Sequence, residues 1–368
     1  MMNTITEMCP NKGVLPSQVL RKMIAGGMIS ASAPIPDAQI QPASIDLRLG
    51  ARAWRVRASF LPGAGNSVAD RLADFSMHAL DLSQGAVLEK GCVYVVELQE
   101  RLALPTDVTA VANAKSSTGR LDLFTRLIAD NGTEFDRVDA GYTGPLYAEI
   151  SPRSFSVLAR PGVRLNQIRF RHGQVLLNDD ALRDLNARDL LVDGEAHIDQ
   201  GLGFSVDLAP AKTRHVGWRA RPHTGLIDLE KLNHYPVAAF WDEVHSEQGR
   251  IILDPGAFYI LVSREAVHIP PRYAAEMAPY VAMVGEFRVH YAGFFDPGFG
   301  HAAAGGKGAR GVLEVRCHEA PFALEHGQIV GRLVYENMAE TPDILYGADL
   351  KSNYQGQGLK LAKHFKST

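Results

Sequence analysis

The chain has 368 residues, 46% of them hydrophobic and 21% charged, with a formal net charge of −3. That balance belongs to a folded globular protein with material for two ordinary domains, and it excludes disorder as well as broad positive charge for duplex nucleic acid or an anionic membrane. Three scattered cysteines, Cys9, Cys92 and Cys317, form neither a disulfide framework nor a metal knuckle. The chain also lacks a long apolar run or a basic region leading into an apolar core, so the expected compartment is the cytoplasm, with no membrane partner.

The first patterned stretch is PSQVLRKMIAGGM (16–28), in which Val19, Leu20, Met23 and Ile24 share one helical face before two glycines end it. Strand signals then dominate. CVYVVEL (92–98) is β-branched and aromatic and is closed by charge and proline; LYAEI (146–150), QIRFR (167–171), FYILVS (258–263), VLEVRC (312–317) and IVGRLVYE (329–336) read the same way. Between these runs DDALRDLNARDLL (179–191) is a second short helix and the boundary of two domains, 1–177 and 178–368. The rhythm predicts antiparallel β, a sandwich or barrel, in each half.

The halves are related. LEKGCVYVVELQERLALP (88–105) matches LDPGAFYILVSREAVHIP (253–270), and the register of 165 positions persists downstream, where Glu149 falls on Glu314 and Gly162 on Gly327. In that register Lys115, Ser116, Ser117 and Arg120 fall on Tyr280, Val281, Ala282 and Gly285, so the second copy has lost a polar cluster that the first retains. The second copy has a glycine-rich stretch instead, GHAAAGGKGARG (300–311). Lacking a GK[ST] ending and a strand-to-helix setting, it reads as a flexible hairpin rather than a phosphate loop.

Two stretches of the first copy could carry chemistry. In AKSSTGR (114–120) hydroxyls, backbone amides, a lysine and an arginine could line an anion site, although the string alone also fits a solvated loop. In RVDAGYTGPLYAEI (137–150) alternation puts Tyr147 and Glu149 on one face of a strand and Leu146, Ala148 and Ile150 on the other. A glutamate there either meets solvent at a sheet edge, pairs with a cation, or is held for proton transfer.

Together IQPASIDLRLG (40–50), AKSSTGR, RVDAGYTG and AEI (148–150) resemble the dCTP deaminases, relatives of the trimeric dUTPases. The resemblance covers most of residues 15 to 170, and the repeat extends it. It implies a mainly β fold of two tandem dUTPase-like β-clip units, each a distorted β-barrel or sandwich, with a few short helices. It implies hydrolysis of dCTP to dUTP and ammonia. RVDAGYTG also resembles the dUTPase motif for phosphate hydrolysis, so a dUTPase or a bifunctional enzyme is the alternative, and a non-catalytic nucleotide-binding protein a further one. The zinc deaminases pair an HxE element with PCxxC, a combination this chain does not have. A glutamate that takes a proton from water and returns it to the leaving amine serves instead.

By resemblance Glu149 is that shuttle, Ser116 places the water, and Arg120 holds charge and geometry. Lys115 and Ser117 meet the triphosphate, Arg137 supports the pocket, Asp139 contacts sugar or base, and Tyr147, Ala148 and Gln167 complete the nucleotide site. Mg2+ rides on the phosphates and no zinc is expected; the partners are dCTP-, dUTP- and dTTP-type nucleotides in a homotrimer without nucleic acid. LYGADLKSNYQGQG (345–358) resembles the family's C-terminal lid, with Tyr346, Tyr354 and Gln357 at its ligand positions. Three features depart from the family: Lys115 where an arginine is usual, Asn353 where the lid has lysine (with Lys351 nearby), and a longer segment between Arg120 and Asp139.

Overall fold

The structure, a computed structural model, describes residues 4–209, 215–279, 287–290, 293–317, 319–347 and 358–367. The chain divides into two compact units: Met1–Val175 with Gly225–Leu232 and Met338–Asp343, and Leu176–Thr224 with Asn233–Asn337 and Ile344–Thr368. Two short stretches of later sequence thus complete the first unit. One supplies the strand Ile227–Asp228, which pairs in parallel with Val157–Ala159.

The main strands of the first unit are β1 (Ile45–Val56), β2 (Val93–Ala103), β3 (Val108–Ala114), β4 (Leu123–Ala129), β5 (Arg137–Val138), β6 (Thr143–Pro152) and β7 (Arg164–His172). They lie in the order β4-β6-β2-β1-β7-β3-β5, each antiparallel to its neighbour. The sheet curls until its ends nearly meet, and Asp136 bridges the gap. Its carbonyl accepts from the Ala112 amide at 2.8 Å, its own amide donates to Leu127 at 3.0 Å, and its Oδ1 accepts from the Leu127 amide at 2.7 Å. The result is a nearly closed barrel, the mostly β fold expected from the strand rhythm. Leu146, Ala148 and Ile150 of β6 are fully buried on its inner face, as alternation requires.

Among the described residues four α-helical segments accompany the sheets: α1 (Ser17–Ala25), α2 (Val68–Phe75), α3 (Ser116–Gly119) and α4 (Asp179–Arg188). The first and last are the two that periodicity predicts, and Val19, Leu20 and Met23 of α1 are buried on one face. The other two are additions. Helix α2 starts in a capping box, with the Ser67 hydroxyl accepting from the Asp70 amide at 3.1 Å and the Asp70 carboxylate accepting from the Ser67 amide at 3.0 Å. At eight residues it is too short for the hydrophobic pattern to stand out, and tertiary contact stabilises it.

In the second unit the main strands are β8 (Leu202–Ser205), β9 (Phe258–Val267), β10 (Tyr273–Pro279), β11 (Phe287–His290), β12 (Phe294–Phe295), β13 (Ala309–Cys317) and β14 (Ile329–Asn337). The repeat is visible in the pairing itself. β13 lies between β9 and β11 as β6 lies between β2 and β4, and Glu149 faces Val95 where Glu314 faces Ile260, each pair 165 positions apart. Likewise β14 lies between β8 and β10 as β7 lies between β1 and β3. The glycine-rich stretch forms a turn closed on itself by Gly308 N–H to Gly300 O at 2.8 Å and Gly306 N–H to His301 O at 2.9 Å. Gly300 has φ +65, and a Cβ there would lie 2.1 Å from the Val267 carbonyl, so no other residue fits.

Candidate active site

Strand β6 has partners on both sides, so Glu149 is not at an edge. Its side chain is 2% exposed, which overturns the reading of a solvent-facing glutamate on a sheet border. Alternation turns it, with Tyr147, to the outer face of the barrel. That face is roofed. The segment after β1 runs back over it, and Phe60, Val68 and Leu72 pack with Val56, Val95, Ile128 and Tyr147 into a small separate core, joined at its margin by Trp54, Leu61, Phe75, Val93 and Phe135. The cover excludes water from a carboxylate that a plain sheet face would leave wet.

A carboxylate removed from water needs partners, and two side chains supply them. Arg126, directly opposite Glu149 across the β4–β6 ladder, gives Oε1 two hydrogen bonds, from Nη2 at 2.6 Å and from Nε at 3.2 Å. The Ser59 hydroxyl, brought in by the covering segment, donates to Oε2 at 2.6 Å and accepts from Arg126 Nη2 at 2.9 Å. The three groups form a closed ring of hydrogen bonds. The Arg126 guanidinium is fixed on its other side by the Phe135 ring, 3.4 Å from its centroid, with the Phe124 ring at 4.7 Å. Neither Ser59 nor Arg126 stands out in the sequence. Arg126 is two positions from Phe124 in a strand, which alternation puts on the same face, but Ser59 lies in a stretch with no periodic signal.

Tyr147 is buried to 7% exposure beside Glu149, and burial, helped by the charges of Asp130 and Glu97, pushes its phenol above the ordinary tyrosine range. Ala148 points the opposite way into the barrel, leaving only its backbone near this face.

A second polar cluster surrounds AKSSTGR, which is a single helical turn, α3, and not a solvated loop: Ser117, Thr118 and Arg120 are buried and Ser116 is half-buried. The turn is pinned by the Thr118 hydroxyl donating to the Leu165 carbonyl at 2.7 Å and by the Lys115 amide donating to the same carbonyl at 2.9 Å. Lys115 is ion-paired with the buried Asp46 of the IDL motif on β1, and Arg164 of β7 lies 3.6 Å from the other oxygen of that carboxylate. Gln167, 8% exposed, is the register partner of both Asp46 and Asn113. Two cations thus share one carboxylate, which leaves local positive charge. Arg164 is a further residue that belongs to none of the sequence motifs.

The remaining predicted residues are dispersed. Arg137 and Asp139 are exposed, with side chains 57% and 84% accessible; they lie 3.7 Å apart, and Arg137 also meets Glu134 at 3.2 Å. The Glu149 carboxylate bonds Ser59 and Arg126, so within one chain Arg137 and Asp139 do not join it. Tyr346 belongs to the second unit, where its ring lies 5.5 Å from that of Phe299 and its amide donates to the Pro297 carbonyl at 2.9 Å. Tyr354 and Gln357 lie outside the described residues, as do the second-copy positions Tyr280, Val281, Ala282 and Gly285. Glu314 is buried at 5% exposure on β13. Among the described residues no helix is long and apolar enough to cross a membrane.

A nearly closed antiparallel barrel that carries a buried glutamate and a basic, serine-bearing turn, and whose strand pairing recurs in the second unit, is a dUTPase-like β fold. Residues 11–174 match the family model of the 2'-deoxycytidine 5'-triphosphate deaminase N-terminal domain, and residues 178–365 that of its C-terminal domain. The chain belongs to the dCTP deaminase family. A dCTP deaminase of Haloarcula marismortui is 30% identical over 156 residues, 42% of this chain and 77% of that protein. A dCTP deaminase, dUMP-forming, of Beutenbergia cavernae is 28% identical over 158 residues, 43% of this chain and 78% of its own length. The crystal structure of 2'-deoxycytidine 5'-triphosphate deaminase from Agrobacterium tumefaciens superposes with a TM-score of 0.86 at 56% identity, covering 89% of this chain and 99% of the other.

Proposed function

We propose that the protein hydrolyses dCTP to dUTP and ammonia by a zinc-free route in which Glu149 carries the protons. The observation that carries this reading is a glutamate sealed from solvent on a barrel face, yet held by a guanidinium and a hydroxyl; the resemblance of the AEI motif gives it the proton-carrying role. Water adds to C4 of cytosine, one of its protons ends on N3 and the other on the exocyclic amine, and ammonia leaves as the C4–N4 bond breaks and the C4 carbonyl forms. A single carboxylate can make both transfers in turn if the site excludes competing water.

Ser116 would place the attacking water and Arg120 hold charge near it. Lys115, Ser117 and Arg164 would meet the triphosphate, which arrives with Mg2+ bound to its own oxygens. Arg137 and Asp139 are exposed, and α3 supplies no bond to Glu149 in the single chain, which supports a homotrimer whose sites lie between copies. Segment 345–358 would close over the nucleotide, and a cytoplasmic location suits that substrate. The name of the Beutenbergia cavernae relative makes further hydrolysis to dUMP the alternative outcome.

The test is ammonia release from dCTP with Mg2+ present and zinc chelated, with the nucleotide product resolved by chromatography. Ammonia with dUTP is expected. Ammonia with dUMP would make the enzyme bifunctional, pyrophosphate from dUTP without deamination would make it a dUTPase, and binding without turnover would overturn the proposal.

A further inference from the structure

The proton carrier alone does not explain why its neighbourhood is built as it is. Both carboxylate oxygens of Glu149 are occupied, Oε1 by Arg126 and Oε2 by Ser59, and these two partners bond each other. The Arg126 fork is held against the Phe135 ring, which comes from the segment between β4 and β5. Ser59 comes from the roof over the barrel face. Three separate pieces of chain therefore converge to fix the rotation of one carboxylate. Planar, stacked guanidinium forks lose little freedom on bonding, which makes arginine suited to that task and lysine a poor substitute.

We propose that Arg126, stacked on Phe135 and tied to Ser59, is the positioning residue that aims the Glu149 carboxylate for deamination. This rests on the reading of Glu149 as the proton carrier. Arg126 takes no part in the proton inventory: it stays a cation throughout, offsetting the charge on Glu149 when the carboxyl is ionised and retaining the Ser59 hydroxyl as a bonding partner when it is protonated. A carboxylate freed from the fork would no longer have its lone pairs directed at one place.

The experiment measures kcat and KM for dCTP in wild type, Arg126→Met, Arg126→Lys and Ser59→Ala, with folding checked by circular dichroism. Loss of alignment of about an ångström at a proton-transfer group costs on the order of 100-fold in rate, so Arg126→Met should lower kcat by about that factor and leave KM within about threefold. Arg126→Lys should recover about tenfold of the loss, because an ammonium still reaches Oε1 but cannot also hold Ser59. Ser59→Ala, which removes one hydroxyl and little packing, should lower kcat about tenfold and keeps the test decisive if Arg126→Met does not fold. Folded variants of Arg126 and Ser59 with kcat within about threefold of wild type would overturn the positioning role while leaving the deaminase reading intact; so would KM and kcat falling together without recovery in Arg126→Lys. A wild-type protein that releases no ammonia from dCTP overturns both.

Discussion

Replacing Glu149 with glutamine removes the proton and little else. The amide oxygen can still accept from Arg126 and the amide nitrogen can donate to the second lone pair of the Ser59 oxygen, the first being taken by Arg126, so the ring of hydrogen bonds survives with one charge fewer. Removing a member of a buried ion pair outright costs about 3–5 kcal/mol. Because an isosteric acceptor remains and the Arg126 side chain is 24% exposed, the loss here should be about 1–2 kcal/mol, with a Tm lower by about 2–8 °C for a unit of this size. Turnover behaves differently. General acid–base catalysis contributes about 10²–10⁴-fold, and one group performing both transfers is lost in a single step, so kcat should fall by at least about 10³-fold, roughly 4 kcal/mol of barrier. Nucleotide affinity should stay within about threefold, since the triphosphate is met elsewhere. The assay couples ammonia release to glutamate dehydrogenase and pairs it with a nucleotide-binding titration. A folded Glu149→Gln enzyme retaining more than about a tenth of wild-type kcat would falsify the proton-carrier account.

Three further outcomes follow from the same geometry. Glu314→Gln in the second copy should leave kcat within about twofold; a loss matching that of Glu149→Gln would mean the reaction belongs to the other half. Leu72→Ala, at a side chain 5% exposed beneath the roof, should cost about 2–4 kcal/mol locally. It should speed amide exchange across 57–75 and lower kcat by loosening Ser59, whereas unchanged exchange there would show that α2 is not what seals the site. Burial, reinforced by the nearby Glu340 carboxylate, pushes the Cys9 thiol up to about 11. Iodoacetamide at about pH 8 should therefore leave Cys9 unmodified in the folded protein while the half-buried Cys92 reacts. Rapid labelling of Cys9 would contradict its burial.

What the sequence made legible was what periodicity and repetition encode. The strands, the helices α1 and α4, the 165-position register and the orientation of Glu149 follow from alternation along single segments, and the structure reproduces them pair by pair, down to Glu149 on Val95 and Glu314 on Ile260. What stayed hidden depends on chain segments meeting. Ser59 carries no pattern of its own and acquires its place only because Val68 and Leu72 anchor the roof. Arg126 reads as an ordinary polar position in a strand until its register partner is known. Asp46 lies within IQPASIDLRLG, yet its pairing with Lys115 appears only when β1 and the end of β3 come together at β7. AKSSTGR by itself fits either a loop or an anion site because a one-turn helix gives no period to detect.

The most direct measurement is a crystal structure of Glu149→Gln with dCTP and Mg2+ bound, a complex that should accumulate because binding is kept and turnover lost. The account predicts the side-chain amide at position 149 within about 3 Å of the cytosine 4-amino group or of a water poised over C4, with Arg126 still stacked on Phe135. A cytosine ring seated elsewhere, with position 149 still enclosed by Ser59 and Arg126 and out of reach of the base, would contradict it.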